Sequence, residues 1–429
     1  MNFGLILAGL LYAVVFWAVG MRRPWLTLAL IAAAAPFQND ISGGGPLKFS
    51  LAEINVLLAL PIVLARGTVK FGPTLLPSLG YIGVGVLCSI PNWHDSSLIC
   101  LVQMGIYLVI VVMVFASLAR NEEDYRAALT AYVAVGVFLA LSVAAFHSPY
   151  IYGMHKNGVG GSVATAFVIA FEMWLSVTQK RSKRRFLFAV AILGFGSVMI
   201  LSRGAWMTAI VGVLVIFALR REFGMLIRTA LLLVPVVCVG WLLLPAEDRE
   251  YATGFQADRD NIRARYESID FAMAQFRANP ILGGGVGLRK EFDATNLFMV
   301  TLAETGVPGV LSFAILQLAV AVLVWRTHRR VSKGTLGFSV VAIAGALTFG
   351  KLAHGMVDHY WGRGSLTMAW ASVGMAVRVA TESQKRRRQA IMARAAELSL
   401  SPVATAPVEE WGVPDESPAV AGESQIRCA

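Results

Sequence analysis

Long apolar runs, broken by short basic, polar or glycine-rich interruptions, recur from residue 3 to residue 380. A bilayer core of roughly 30 Å is crossed by a helix of about 20 apolar residues, with a working range of about 17 to 25. By that measure the pattern predicts spans near 3–20, 24–37, 49–65, 73–91, 98–119, 126–146, 158–178, 186–201, 204–219, 226–244, 296–325, 335–354 and 365–380. The expected fold class is therefore all-α: a polytopic transmembrane helix bundle of about 13 spans, within a range of about 12–14. The second, eighth and ninth spans are short enough to be tilted, re-entrant or broken. The chain divides into a bundle of the first ten spans (1–244), a long loop (245–295), the last three spans (296–380) and a tail (381–429).

The long loop has a period of its own. Ile262, Tyr266, Ile269, Met273 and Phe276 follow at steps of four and three, which predicts an amphipathic helix over 262–278. Asp260 or Asn261 can cap its start, and Asn279-Pro280 ends it. Such a helix can lie on the outer membrane surface or pack on the bundle, and the pattern leaves both placements open. In the tail, KRRRQAIMARAAELSL reads as a basic interfacial helix, and Ser401 to Ala429, rich in Pro, Ala, Ser and Glu, as disordered.

Composition agrees with the pattern. With 57% hydrophobic residues, 15% charged residues and a mean hydropathy of +0.65, the 429-residue chain is too apolar for a soluble protein. A net charge of +11 would suit nucleic acid if it formed one patch, but the basic residues are scattered in short clusters between apolar runs. Nucleic acid is therefore not an expected partner, whereas the lipid bilayer is. Arg22/Arg23, Arg66/Lys70, Arg120/Arg126, Lys180 to Arg185, Arg220/Arg221/Arg228, Arg326 to Lys333 and Lys385 to Arg388 all fall on one side of the scheme. Because Lys and Arg stay on the cytoplasmic side of short loops, the N-terminus is expected outside and the C-terminus inside. Residues 3–20 have no basic segment before them and read as a first span, not a cleaved signal. Cys88, Cys100, Cys238 and Cys428 have no metal spacing, although Cys88 and Cys100 lie near the outer ends of consecutive spans, which leaves a bridge open.

The chemistry concentrates on the outer side. From Gly283 to Phe313 a glycine-rich loop passes into an apolar helix that carries Glu304, followed by Gly306, Pro308 and Gly309. An ionisable group in a span costs roughly 2.5 to 3.5 kcal/mol on insertion scales, so it faces protein or a wet cavity. Lys156, Arg203, Arg265, Arg289, Glu304, His354, Asp358, His359 and Arg363 share that end of the bundle. Arg203, in ILSRGAW, sits in a turn between apolar runs, where its fork of donors suits a phosphate. Metal chemistry is weakly signalled: Asp258 and Asp260 have a carboxylate-pair spacing that arises easily by chance, and His354, Asp358 and His359 lack an evident fourth ligand. GGGVG at Gly283 completes no dinucleotide fingerprint, but it can bring backbone N–H groups close to an anion.

Taken together, HKNGVGGSVATAF at His155, SRGAW at Ser202, Arg265 with Pro280 and a glycine turn behind it, and ATNLFMVTLAETGVPGVLSF at Ala294 resemble the O-antigen ligase and polymerase superfamily. HGMVDHYWGRGSLTMAW, from His354, resembles its exopolysaccharide branches. The resemblance covers residues from about 155 to 380. It implies a glycosyltransferase of the bacterial inner membrane, acting at the periplasmic face on a glycan carried by undecaprenyl pyrophosphate, with no metal or other cofactor. Chain-length regulator and export proteins are the protein partners it implies. Arg203 and Arg265 match the two arginines that hold the pyrophosphate in the family. Where ligases have a His-Asn pair, this chain has Thr295-Asn296. Threonine does not accept a proton near neutral pH, so a polymerase of repeat units is the better fit.

Transfer from the lipid carrier places negative charge on the leaving pyrophosphate while an acceptor hydroxyl loses a proton. The first demand points to Arg203 and Arg265, with Arg289, Arg363 and Lys156 as further cations. The second points to Glu304 or Asp358 as the base, with His354 and His359 behind them. A ligase that transfers glycan to a lipid acceptor, a flippase or exporter of lipid-linked sugar, and a non-catalytic assembly subunit are the rival expectations. The chain shows no clear internal repeat of the kind many transporters carry.

Overall fold

The computed structural model describes residues 3–39, 49–253, 260–292, 295–358 and 366–400, and all regular structure among them is helical. The helices are α1 (Phe3–Arg22), α2 (Pro24–Ala34), α3 (Leu51–Ala65), α4 (Leu75–Ser89), α5 (Ser97–Gly105) and α6 (Val112–Leu118), the last two joined by a π-helical turn. Then follow α7 (Glu122–Phe146), α8 (Lys156–Ser176), α9 (Lys180–Met199), α10 (Arg203–Arg220) and α11 (Phe223–Leu243). The long loop holds α12 (Ala246–Thr253) and α13 (Asp260–Ala278), after which come α14 (Leu297–His328), α15 (Leu336–Val357) and α16 (Thr367–Leu400). The described residues up to Ser383 form one compact unit, and those from Gln384 fall in a second.

Six helical runs among the described residues are long and apolar enough to cross a membrane: Ser97–Leu118, Glu122–Phe146, Lys156–Ser176, Arg203–Arg220, Leu297–His328 and Leu336–Val357. The protein is a multi-pass membrane protein. α2, α3 and α4 are apolar but shorter, at 11, 15 and 15 residues. The expected count of about 13 goes further than this set. α9 starts at Lys180, so the cluster Lys180 to Arg185, read as a loop, is its first turn and a half. α16 runs through residue 381 without a break.

Side-chain caps set several starts. Ser50 accepts from the Glu53 N–H and Glu53 from the Ser50 N–H, a reciprocal box that Tyr107 joins by donating to the same carboxylate. Asn121 and Asp124 build the same box at α7. Burial separates the central helices from the peripheral ones: α8 encloses 89% of its apolar window and α15 72%, against 44% for α10. A helix apolar all round belongs in the middle, and here α8 packs on α7, α9, α10 and α15. Small residues allow these close approaches. A Cβ on Gly212 would stand 2.6 Å from a Val168 methyl, and one on Gly350 would stand 2.8 Å from the Thr208 carbonyl.

At the far end of α8 and α10 the apolar contact gives way to a buried polar knot. Arg220 donates to both carboxylate oxygens of Glu172, at 2.8 and 2.6 Å, and to Ser176, whose hydroxyl is 2.5 Å from that of Ser339. Lys333 donates to the Arg220 carbonyl. Arg220, read from the sequence as one cation of a basic cluster that marks the cytoplasmic side, is buried here and packs against Glu172.

α14 is two helices in one line. At Gly306 the backbone takes φ 59°, ψ −158°, a region open essentially to glycine alone, and Pro308 begins the second half without an N–H to place. The turn from Pro280 to Gly285 enters the break. Val307 N–H donates to the Pro280 carbonyl at 3.0 Å, while Gly284 and Gly285 N–H donate to the Ala303 and Glu304 carbonyls at 2.7 and 2.9 Å. α13 packs against α14, with Ala272 1% exposed beside Ala303 and Leu288 and with Phe271 and Phe292 ring centroids 4.7 Å apart. Of the two placements open to this helix, contact with the bundle is the one found. Tyr266 is left 61% exposed, and the buried face centres on Ser268 and Ala272 because small side chains let the two helices close up. Cys88 and Cys100 are buried free thiols, with no bridge between them.

Candidate active site

The last turn of α15 collects side chains from several elements. Asn157, in the first turn of α8, donates its amide to the Asp358 carboxylate. Arg265 on α13 donates to the Val357 carbonyl, and Asn296, which caps α14, donates to the Met356 carbonyl at 2.8 Å. These carbonyls lack helical partners at a C-terminus, so donors from neighbouring elements satisfy them. Ser202 closes the ring from α10 by donating to the Asn157 side-chain oxygen at 3.2 Å.

The local sequence explains why these groups are there. His155 accepts from the Asn157 N–H to cap α8, Ser202 accepts from the Ala205 N–H to cap α10, and Asn296 accepts from the Phe298 and Met299 N–H groups to cap α14. Lys156 and Arg203 are consequently the first helical residues of α8 and α10. The starts of α8 and α10, each with a cation as its first helical residue, thus lie by the C-terminal turn that carries Asp358, and helix N-termini of this kind suit an anion.

His354 lies one turn before Asp358 and is fully enclosed. Its Nδ1 is 3.2 Å from the Thr208 hydroxyl, and Gly161 and Gly204 make the room: a Cβ on Gly204 would stand 2.4 Å from the ring, and one on Gly161 3.2 Å from the Lys351 ammonium nitrogen. The glycines of HKNGVGG and SRGAW therefore serve to bring α8 and α10 against this histidine.

Glu304 and Arg289 form a second centre at the break in α14. Arg289 donates through its side chain to both Glu304 oxygens, the Nε contact being 2.8 Å, and the Arg289 and Gly287 N–H groups add bonds of 2.9 and 3.1 Å to Oε1. Glu304 is buried, and its carboxylate holds the glycine loop around itself. From the other side the segment between α4 and α5 grips the same loop. Asn92 donates to the Gly283 carbonyl, Ser96 to Gly287 and Ser97 to Val286, and His94 Nε2 lies 2.6 Å from the Gly284 carbonyl while its Nδ1 meets Glu291. Burial alone would lower the His94 pKa. The Gly284 carbonyl and the Glu291 carboxylate outweigh it and hold the imidazole above its ordinary value.

Among the expected site residues, then, Lys156, Arg203, Arg265, His354 and Asp358 are brought to one end of α8, α10 and α15, and Arg289 and Glu304 pair with each other at the α14 break. His359 and Arg363 lie outside the described residues, as does Asp258 of the carboxylate pair with Asp260. Thr295 contributes its N–H to the Ser268 hydroxyl at 3.3 Å. Sequence reading passed over Asn157, Ser202 and His94. The first two carry a signal, being polar residues at the starts of apolar helices, but His94 does not, because its partners lie 190 and 197 positions away.

Beside Arg203 the bundle is apolar. A cavity of about 540 Å³ lies between α8, α9, α10 and α11, with Phe167, Val198, Trp206, Val213, Val237 and Trp241 in its wall. Trp206, in the first turn of α10, turns its Nε1 onto the Ser197 carbonyl at 2.7 Å.

No curated protein matches the chain. A family model described as O-antigen ligase matches residues 188–314, which is α9 to the first turns past the break in α14. That segment contains Arg203, Arg265, the glycine loop, Asn296 and Glu304, and over it the chain is similar to the O-antigen ligase family.

Proposed function

We propose that this protein is a polysaccharide polymerase, a glycosyltransferase that joins oligosaccharide repeat units carried on undecaprenyl pyrophosphate at the periplasmic face of the inner membrane. The observation that supports this reading is the convergence of Arg203, Lys156 and Arg265 with Asp358 around the last turn of α15. The pyrophosphate lies against the cationic starts of α8 and α10, and the isoprenoid chain follows the apolar cavity that begins one turn away at Trp206. An acceptor-sugar hydroxyl attacks the anomeric carbon, its proton passes to Asp358, and the bond to the phosphate oxygen breaks. The charge left on the pyrophosphate is met by the guanidinium groups of Arg203 and Arg265, whose fixed donors lower the barrier electrostatically. Glu304 is saturated by its donors, so its role in this reading is to hold the glycine loop and Arg289 in place. Arg363 and His359 stay candidates for the phosphate and proton roles.

Ligation of a finished glycan to a lipid acceptor is the second reading, favoured by the description of the matching family. Thr295 speaks for polymerisation, because the proton-accepting side chain of the ligases is missing at that position. The lipid-linked sugars that accumulate in cells without the protein decide between them. Single repeat units on the outer leaflet support a polymerase and finished polymer on the carrier supports a ligase, while single units held on the inner leaflet would overturn both in favour of a flippase. Activity of the purified protein should survive EDTA; its loss would turn attention to Asp258 and Asp260.

A further inference from the structure

The bonds around Asn157 run in one direction only, and chemistry fixes that direction. A carboxylate accepts, so the Asn157 amide nitrogen must face Asp358. Its oxygen is then left for Ser202, which must donate to it at 3.2 Å, and the Ser202 oxygen in turn accepts from the Ala205 N–H at 3.4 Å. A continuous chain therefore leads from Asp358 through Asn157 and Ser202 to the first turn of α10, the turn that carries Arg203. Nothing softer than hydrogen bonds and helix backbone intervenes.

We propose that Asn157 is a positioning residue that fixes Asp358 as a proton acceptor at a set place relative to Arg203. It touches neither leaving group nor acceptor. The inference rests on the reading that Asp358 takes the acceptor proton and Arg203 holds the pyrophosphate. In it, the amide has two tasks. It keeps the carboxylate in register with α10, and by donating to the charged form it keeps Asp358 ionised at the pH of turnover. An asparagine does this where an aspartate or histidine would not, because its amide donor never titrates. Among the described residues, the titratable and charged groups at this end of the elements packed around Asp358 include His155, which caps α8, Lys156 on α8, Arg203 on α10, Arg263 and Arg265 on α13, and Lys351 and His354 on α15.

The test is the pH profile of polymer formation from purified lipid-linked repeat units by full-length protein, with kcat and KM separated at each pH. In Asn157→Ala the donor is gone. The acidic limb should move to higher pH and kcat at neutral pH should fall at least tenfold, with KM within about threefold. Asn157→Asp keeps the shape and places a second carboxylate against the first. One proton shared by the pair imitates the amide, so this variant should work at mildly acidic pH and lose turnover on the alkaline side, where the second proton leaves and the two charges repel. A purely structural role would depress both variants equally at every pH, and that result, or a wild-type profile in both, overturns the proposal. Asn157→Asp also guards against an alanine variant that fails to fold.

Asp358→Asn and Arg203→Ala separate the two ideas. If both are inactive while the Asn157 variants keep the wild-type profile, the positioning role fails and the reading of the site stands. If Asp358→Asn retains turnover, the proton assignment fails and takes the role of Asn157 with it.

Discussion

Single side chains in this protein are valued by what they leave behind when removed. Arg203 and Arg265 each offer a planar fork, so Lys at either position keeps the charge but loses bidentate contact. Turnover should fall in both Lys variants, and by about a hundred- to a thousandfold in Arg203→Ala, the usual cost of one lost transition-state donor. Thr295→Ala should do much less. Polymer formed per unit of membrane-inserted protein is the measure, and full activity in Arg203→Ala would remove the basis of the site. Arg265 also donates to the Val357 carbonyl, so its alanine variant is expected to lose some order in the last turn of α15 as well. Glu304 and Arg289 behave differently because they are buried together, with side chains 1% and 10% exposed. Breaking such a pair from one side leaves an uncompensated charge, at a cost of about 3–5 kcal/mol. Glu304→Gln and Arg289→Gln should each lower the Tm of the detergent-solubilised protein sharply, and the double variant should lose much less than the sum. Additive losses would mean that the two side chains do not depend on each other.

At the scale of elements the informative feature is the break in α14 and the loop that fills it. Gly306 has a positive φ, and a Cβ there would stand 2.5 Å from the Pro280 and Ile281 carbonyls. Strain of this kind costs on the order of 1–3 kcal/mol before the clash is counted. Gly306→Ala should therefore lower Tm and membrane level clearly, whereas Gly80→Ala, with nothing within 4 Å, should not. The grip on the loop from the α4–α5 side is also sensitive to pH. The folded-state pKa of His94 is raised, so its contribution is complete below the unfolded value of about 6.5 and is lost as pH rises through the folded value. The stability advantage of the wild type over His94→Gln should be largest near pH 6 and shrink above neutrality. An advantage that does not change with pH would show that the imidazole acts there by shape alone.

For the whole molecule, orientation is the prediction that carries everything else, since the site needs its residues in one compartment. Single cysteines introduced by Arg263→Cys and Lys183→Cys in a cysteine-free background should label from opposite sides with an impermeant reagent, the first from the periplasm. Labelling from the same side would overturn the site. Part of the architecture was present in the chain as written: apolar runs of span length at six of the expected places, a loop helix ending at Asn279-Pro280, and Arg203 at the start of an apolar helix. These are local properties, because a span needs only enough apolar residues and a helix end needs only its cap and its breaker. Other features were decided by tertiary contact. Arg220 reads as one more loop cation until Glu172, 48 residues away, is found against it. Glu304 reads as a reactive carboxylate until Arg289 and the backbone of the glycine loop are seen to occupy it. Asn157, Ser202 and Asp358 lie far apart along the chain, and no periodicity joins them. Hydrophobicity specifies which segments enter the membrane but is indifferent to which segments meet there. The partners of buried polar groups are settled only when glycines let particular helices close on one another, and the site is made of those partners.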